Sequence, residues 1–215
     1  FLKESRLAGQ FDSDTSYRRS AEGKVDRNVE LRPTEFSFTR EDRRVNLTEV
    51  TGRLLLKTDR LDIRQLAGKV GGADVTVDGG VRFNPDLIAE TKLTLAGPKI
   101  TDDLKAALPA AVVETLDAMS IDGKFDARFD QFVYRPKATG DQPVIVLQGK
   151  VAVEQGSADI GIDVTDLDGV VDISFIQRAG QPHALAKLSL DAKTMKVMGR
   201  DITAMHAELV SSEKT

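Results

Sequence analysis

Apolar and polar residues alternate along almost the whole chain, which is the period-two pattern of strands with one dry and one wet face. In the first half the alternating apolar positions are Phe36/Phe38, Val45/Leu47, Leu54/Leu56, Leu61/Ile63, Val75/Val77, Val81/Phe83 and Leu93/Leu95. In the second half they are Phe125/Ala127/Phe129, Val151/Val153, Ile160/Ile162/Val164, Val171/Ile173/Phe175, Leu188/Leu190 and Ala207/Leu209. Turn residues separate these runs at short intervals, among them Asp78-Gly79-Gly80, Asn84-Pro85-Asp86 and Gly199-Arg200-Asp201. Alternation, in place of continuous apolar runs, favours antiparallel over parallel pairing. The pattern predicts a mostly β fold, a long antiparallel meander forming a curved sheet or open groove.

One segment changes period. Leu104, Leu108, Val112 and Leu116 recur every four residues, Thr101 is a good N-cap, and Asp102 and Asp103 occupy the first turn. These features predict a single amphipathic helix over residues 101–119, kinked or split at Pro109. The chain then divides into a first β-meander unit at 1–100, the helix, and a second β-meander unit at 120–215, all parts of one groove. An internal similarity flanks the helix: residues 47–56 match residues 164–173 in class at eight of ten positions, with Gly52 and Gly169 aligned. Shorter echoes of apolar-x-Gly-x-apolar occur around Gly123 and Gly149. Such glycines suit bulges in a repeated β unit.

Composition mostly excludes. The 215 residues carry 30 Lys plus Arg against 34 Asp plus Glu, a net charge of −4, which opposes nucleic-acid binding. There is no Cys, so disulfides, thiolate metal sites and thiol catalysis are ruled out. The two histidines, His183 and His206, lack the spacing of a metal site or a triad. Asp163, Asp166, Asp168 and Asp172 resemble a calcium loop, but Val164 and Phe175 stand where that loop needs acids. Gly68-Lys69-Val70-Gly71-Gly72 lacks the first glycine and the hydroxyl residue of a phosphate loop. No enzyme is expected, and no cofactor. The longest apolar-leaning stretch, 104–119, is interrupted by charge and proline and is too short to span a bilayer. A start at Phe1 together with strand patterning from the outset suggests a piece of a longer protein.

A many-stranded sheet with one helix has an apolar face left over. Alternation assigns to that face Leu54, Leu56, Ile63, Val75, Val77, Val81, Phe83, Leu93, Leu95, Phe125, Phe129, Val151, Val153, Ile160, Ile162, Val164, Val171, Ile173, Phe175, Leu188 and Leu190. Hydrocarbon is the natural occupant, since each CH₂ buried contributes about 0.8 kcal/mol.

The stretches 47–54 and 61–79 resemble the repeat of AsmA/TamB-like proteins. The Leu104–Leu116 helix with its central Leu108-Pro109, followed by Ile121-Asp122-Gly123-Lys124-Phe125, is similar to the AsmA-type arrangement, as are residues 160–169 and their echo at 198–203. The resemblance covers residues 28–210. It implies a bridge-like lipid transfer protein, anchored in the inner membrane of a diderm bacterium, whose periplasmic β-groove shields the acyl chains of phospholipids or other lipids moving between the membranes. This chain is then one segment of the groove, with neighbouring segments of the same long chain as partners, in outer-membrane biogenesis. The alternative is a structural or adhesive β-repeat that mediates protein contacts without lipid.

Overall fold

The computed structural model describes residues 6–19, 21–23, 25–40, 43–84, 86–107, 113, 116–117, 120–136, 143–159, 162–178 and 185–211. They form one open antiparallel sheet in strict chain order: β1 (Arg6–Arg19), β2 (Val25–Arg40), β3 (Arg43–Leu56), β4 (Arg60–Val70), β5 (Ala73–Arg82), β6 (Ile88–Gly97), β7 (Asp122–Arg135), β8 (Val144–Asp159), β9 (Asp163–Gln177), β10 (Leu185–Val197) and β11 (Arg200–Val210). β1 and β11 do not pair, so the sheet is not closed into a barrel. The expected meander is what the chain adopts. The sheet runs without a break past the helical segment, because β6 pairs directly with β7.

Tight turns follow the chemistry of their residues. Gly71 (φ 56°) and Gly72 (φ 81°) link β4 to β5 with two consecutive positive φ values, closed by the Val70–Ala73 pair, as in the primed hairpin turns that match strand twist. This is what the phosphate-loop lookalike builds. Met198 and Gly199 repeat the geometry between β10 and β11.

Strict alternation over such long strands fails at regular points, and bulges absorb the failure. Glu49, Gln65, Gln155, Asp166 and Ala204 all lie within strands at φ between 47° and 55°. Each adds one residue, so the apolar spacing lengthens from two to three. The same side therefore stays apolar in Leu47 to Val50, Ile63 to Leu66, Val164 to Leu167 and Ile202 to Met205. The similarity between 47–56 and 164–173 thereby acquires a structural meaning. It aligns two left-handed acidic residues, Glu49 and Asp166, each bridged to a lysine of the next strand, Lys69 and Lys196, at 2.6 Å. A second repeat joins β4–β5 to β8–β9. The Gln65 amide donates to Asp78 at 2.7 Å and the Gln155 amide to Asp168 at 2.8 Å, and in both cases the aspartate is followed by glycine.

Helix α1 (Asp102–Ala107) starts as expected, with Thr101 Oγ1 accepting from the Leu104 amide at 3.2 Å and donating to the Gly71 carbonyl at 3.0 Å. Val113, Leu116 and Asp117 are also helical. The remainder of the predicted helix, Leu108, Pro109 and Val112 included, lies outside the described residues. α1 packs against β3 and β4. Leu104 closes the main core with Val45, Val70, Ala73, Leu95, Phe125 and Ala127. Two smaller clusters form around Val50, Leu54 and Leu66, and around Val164, Ala192 and Met195.

Candidate functional site: an uncovered apolar sheet face

Cross-strand pairing arranges the apolar residues in rows that run perpendicular to the strands. One row runs Leu54–Ile63–Gly79–Thr91–Phe132–Leu147–Phe175–Ala186 across β3 to β10. The next runs Leu66–Val77–Leu93–Phe129–Gly149–Ile173–Leu188–Leu209 across β4 to β11. A third, Gly68–Val75–Leu95–Ala127–Val151–Val171–Leu190–Ala207, lies alongside it. The fourth is Gly97–Phe125–Val153–Gly169–Ala192–Met205. Leu56 and Val81 belong to a further row through Leu61, Ala89, Tyr134 and Ile145.

The structure thus brings most of the expected residues onto one face, and Val164 joins it through its cluster with Ala192 and Met195. Two positions lie just outside the strands. Phe83 lies one residue beyond β5, where Asn84-Pro85 ends the strand, and is 40% exposed. Ile162 lies one residue before β9, in the connection closed by the Asp159–Asp163 pair, and is 47% exposed. Ile160 lies outside the described residues. Phe132, Tyr134, Ile145 and Leu147 are also on the face; Phe132 and Tyr134 escaped the alternation pattern because β7 shifts register between Phe129 and Gln131, and Ile145 and Leu147, in phase with Val151 and Val153, lie in the unbroken apolar run Val144–Leu147 that shows no alternation.

Eight strands at about 4.8 Å and four rows at about 6.7 Å give an apolar band of roughly 34 by 20 Å. The part of it over β8–β11, four strands wide, measures roughly 14 by 20 Å, comparable to the largest apolar patch of an ordinary monomer, roughly 300–600 Å² and often functional. Only one part of the band is covered. Beneath α1 the face is buried at Val70, Ala73, Leu95, Phe125 and Ala127. Over β8–β10, Val151, Val171, Ile173, Phe175 and Leu190 are half-buried and Leu188 is exposed, with no second layer above them among the described residues. The whole chain exposes 14337 Å². A compact monomer of its 23.4 kDa mass exposes about 9,700 Å².

The opposite face is largely wet, apart from one apolar row at its end, where the buried Val133 lies beside Val146, Ile176 and Leu185. The row Thr76–Thr94–Arg128–Lys150–Asp172–Ser189–Glu208 crosses it, with Lys150 on Asp172 at 2.8 Å and Lys187 bridged to Glu208. His206 Nδ1 meets Asp191 at 2.6 Å, both largely exposed, in an ordinary cross-strand pair. His183 lies outside the described residues. Two shallow depressions, of about 360 and 540 Å³, are lined mainly by polar-face residues such as Asp74, Asp126 and Lys124 in one and Glu90, Lys92 and Asp130 in the other. Among the described residues no group of acids and histidines is arranged to hold a metal ion.

Hydrogen bonds to Glu49, Glu154, Asp172 and Asp166 hold Lys69, Lys124, Lys150 and Lys196 above the ordinary lysine value of 10.5. With the folded value above the unfolded one, their contribution is complete below about pH 10.5 and disappears as pH rises through the folded values. Glu208 behaves oppositely. Lys187 lowers it, so its contribution is present above about 4.5 and is lost as pH falls through the folded value. The urea midpoint is therefore expected to be flat near neutrality and to decline modestly at both extremes, as suits exposed pairs. A midpoint that rises above about pH 10.5 contradicts this assignment.

No helix among the described residues is long and apolar enough to cross a membrane. Comparison of the chain with family models, curated proteins and solved structures finds no match to any of them.

Proposed function

We propose that the uncovered apolar face over β8–β11 shields the acyl chains of lipids, and that the chain is a segment of a periplasmic lipid-conducting groove belonging to an inner-membrane-anchored protein. One observation carries this reading: a contiguous apolar face four strands wide over β8–β11 with no second layer above it among the described residues, beside a part covered by one short helix and with a charged ladder on the other side. Hydrocarbon needs no fixed polar partner, so rows of Val, Ile, Leu and Phe suffice to bind it, while headgroups stay in water at the margins. The chemistry of the site is exclusion of water, in keeping with a face that carries no convergent polar groups.

Mass spectrometry of organic extracts of the purified chain tests the proposal. Co-purifying phospholipid is the expected result. Leu188 is 37% exposed in the centre of the uncovered rows. Leu188→Glu leaves the sheet intact by circular dichroism and lowers bound lipid by about 30-fold, the equivalent of about 2 kcal/mol of lost apolar burial. A folded wild-type chain with a lipid-free extract, or lipid unaffected by Leu188→Glu, overturns the reading. The first of these results favours instead a β-repeat that makes protein contacts through the open edges of β1 and β11.

A further inference from the structure

We infer that Asp122-Gly123 is a site of spontaneous isoaspartate formation, and that the fold confines this modification to that one of its three Asp-Gly pairs. The pairs are Asp78-Gly79, Asp122-Gly123 and Asp168-Gly169. Glycine makes the preceding aspartate vulnerable, because it puts no Cβ beside its amide nitrogen and leaves the backbone free to turn toward the side chain. The glycine nitrogen attacks the aspartate Cγ and closes a five-membered succinimide. The N–Cγ bond forms and a Cγ–O bond breaks, and the oxygen leaves as water with one proton from the amide and one from solvent. A second water then opens the ring at the aspartate main-chain carbonyl carbon, whose bond to the nitrogen breaks. The chain now runs through Cβ and Cγ, longer by one atom, with mass and charge unchanged.

Ring closure requires a carboxyl group free to meet the amide of the next residue. At two of the pairs it is committed elsewhere. Asp78 Oδ1 accepts from the Gln65 amide at 2.7 Å, and Asp168 accepts from the Gln155 amide at 2.8 Å and from Thr194 Oγ1 at 3.4 Å. Both aspartates are half-buried inside strands. The glycines after them are paired on both sides, Gly79 with Ile63 and Thr91, and Gly169 with Val153 and Ala192. Closure there has to open the sheet locally first.

Asp122 differs on each point. It is exposed, it is the first residue of β7, and its Oδ1 accepts from its own Gly123 amide at 2.8 Å. That contact brings the nitrogen toward the carbon it attacks and lies along the path of the amide proton to the leaving oxygen, a near-attack arrangement. β6 pairs with β7 only as far as Phe125, so among the described residues 122–124 have β8 alone beside them, and the register with β8 shifts between Asp122 and Lys124. The added backbone atom enters where the chain leaves the helical segment, just after the Ile121 amide donates to the Leu116 carbonyl at 3.2 Å. This chemistry is independent of what the apolar face carries.

Peptide mapping of the full chain, aged at neutral pH and read by electron-transfer dissociation, tests the inference, with the same chain aged in urea as reference. In urea all three aspartates convert. In the folded chain Asp122 converts at a rate comparable to its rate in urea, while Asp78 and Asp168 are slowed by about tenfold or more, the factor expected from one hydrogen bond to a charged group. Asp122→Glu keeps the charge, needs a larger ring, and yields no isomer at this position. Asp122→Asn converts faster, with ammonia leaving in place of water. Isomer at Asp78 or Asp168 as abundant as at Asp122 in the folded chain, slowing of Asp122 by folding as strong as that of the other two, or failure of Asp122→Asn to convert faster overturns the inference.

Discussion

Replacing Gly52 with alanine is expected to cost roughly 3–5 kcal/mol, among the largest effects of any single methyl addition in this chain. Two penalties coincide. Gly52 holds φ at 115°, a region that side-chain-bearing residues rarely adopt, which alone costs about 1–3 kcal/mol. The new Cβ also meets backbone, lying 2.4 Å from the Gln65 carbonyl oxygen and 2.7 Å from the Leu66 Cα. A side chain there can turn aside, but a bulge of the neighbouring strand cannot move without breaking its pairing. Gly72 separates the two penalties. Its φ is 81° and a Cβ would have open space around it, so Gly72→Ala is expected to cost about 1–2 kcal/mol. Urea denaturation of the two variants measures the difference. Equal midpoints would show that Gly52 is kept only for its backbone conformation and that the close approach to β4 is unimportant.

The bulges also explain what could be read in the sequence and what could not. From β2 onward, the existence of the strands and their antiparallel meander followed from period-two alternation, because a strand with one dry side has no other way to bury it, whereas β1 holds none of the alternating runs. Thr101 and the carboxylates after it identified the start of α1 for an equally local reason. Phe132 was not identified, because the register shift between Phe129 and Gln131 moves the apolar parity of β7 by one, and Leu147 was not, because the run Val144–Leu147 is apolar at every position and assigns no face by itself. The left-handed residues Glu49, Gln65, Gln155, Asp166 and Ala204 include no glycine or asparagine, the usual markers of that conformation. Their signal is indirect: an apolar spacing of three in place of two, or an Asp-Gly pair on the following strand whose carboxylate receives the bulge amide. Which part of the apolar face stays open was also hidden, since it depends on where α1 comes to rest across β3 and β4.

That placement depends on Leu104, and Leu104→Ala is expected to lower stability by about 3 kcal/mol. α1 spans six residues, too few to hold a helix in water by backbone bonding alone, so its position comes from packing. Leu104 is 2% exposed, and around it lie Val45, Val70, Ala73, Leu95, Phe125 and Ala127, drawn from five different strands. Truncation removes the apolar transfer energy and leaves a cavity floored by a sheet too rigid to rise into it. The helix remains tied at its start by Thr101, which bonds both the Leu104 amide and the Gly71 carbonyl, so the expected response is release of the later turn and not loss of the whole element. Leu95 and Phe125 then become accessible, and binding of a hydrophobic dye rises along with the fall in urea midpoint. Leu188→Ala provides the contrast. Leu188 is already 37% exposed with no second layer above it among the described residues, so its truncation costs below about 1 kcal/mol. If the two variants lose equal stability, Leu188 is as deeply covered as Leu104 and the apolar face over β8–β11 is not open to a ligand. If they differ by about 2 kcal/mol or more, the sheet has one face in two conditions, covered where Leu104 of α1 packs and bare over β8–β11, and the bare part leaves room for the acyl chains proposed above.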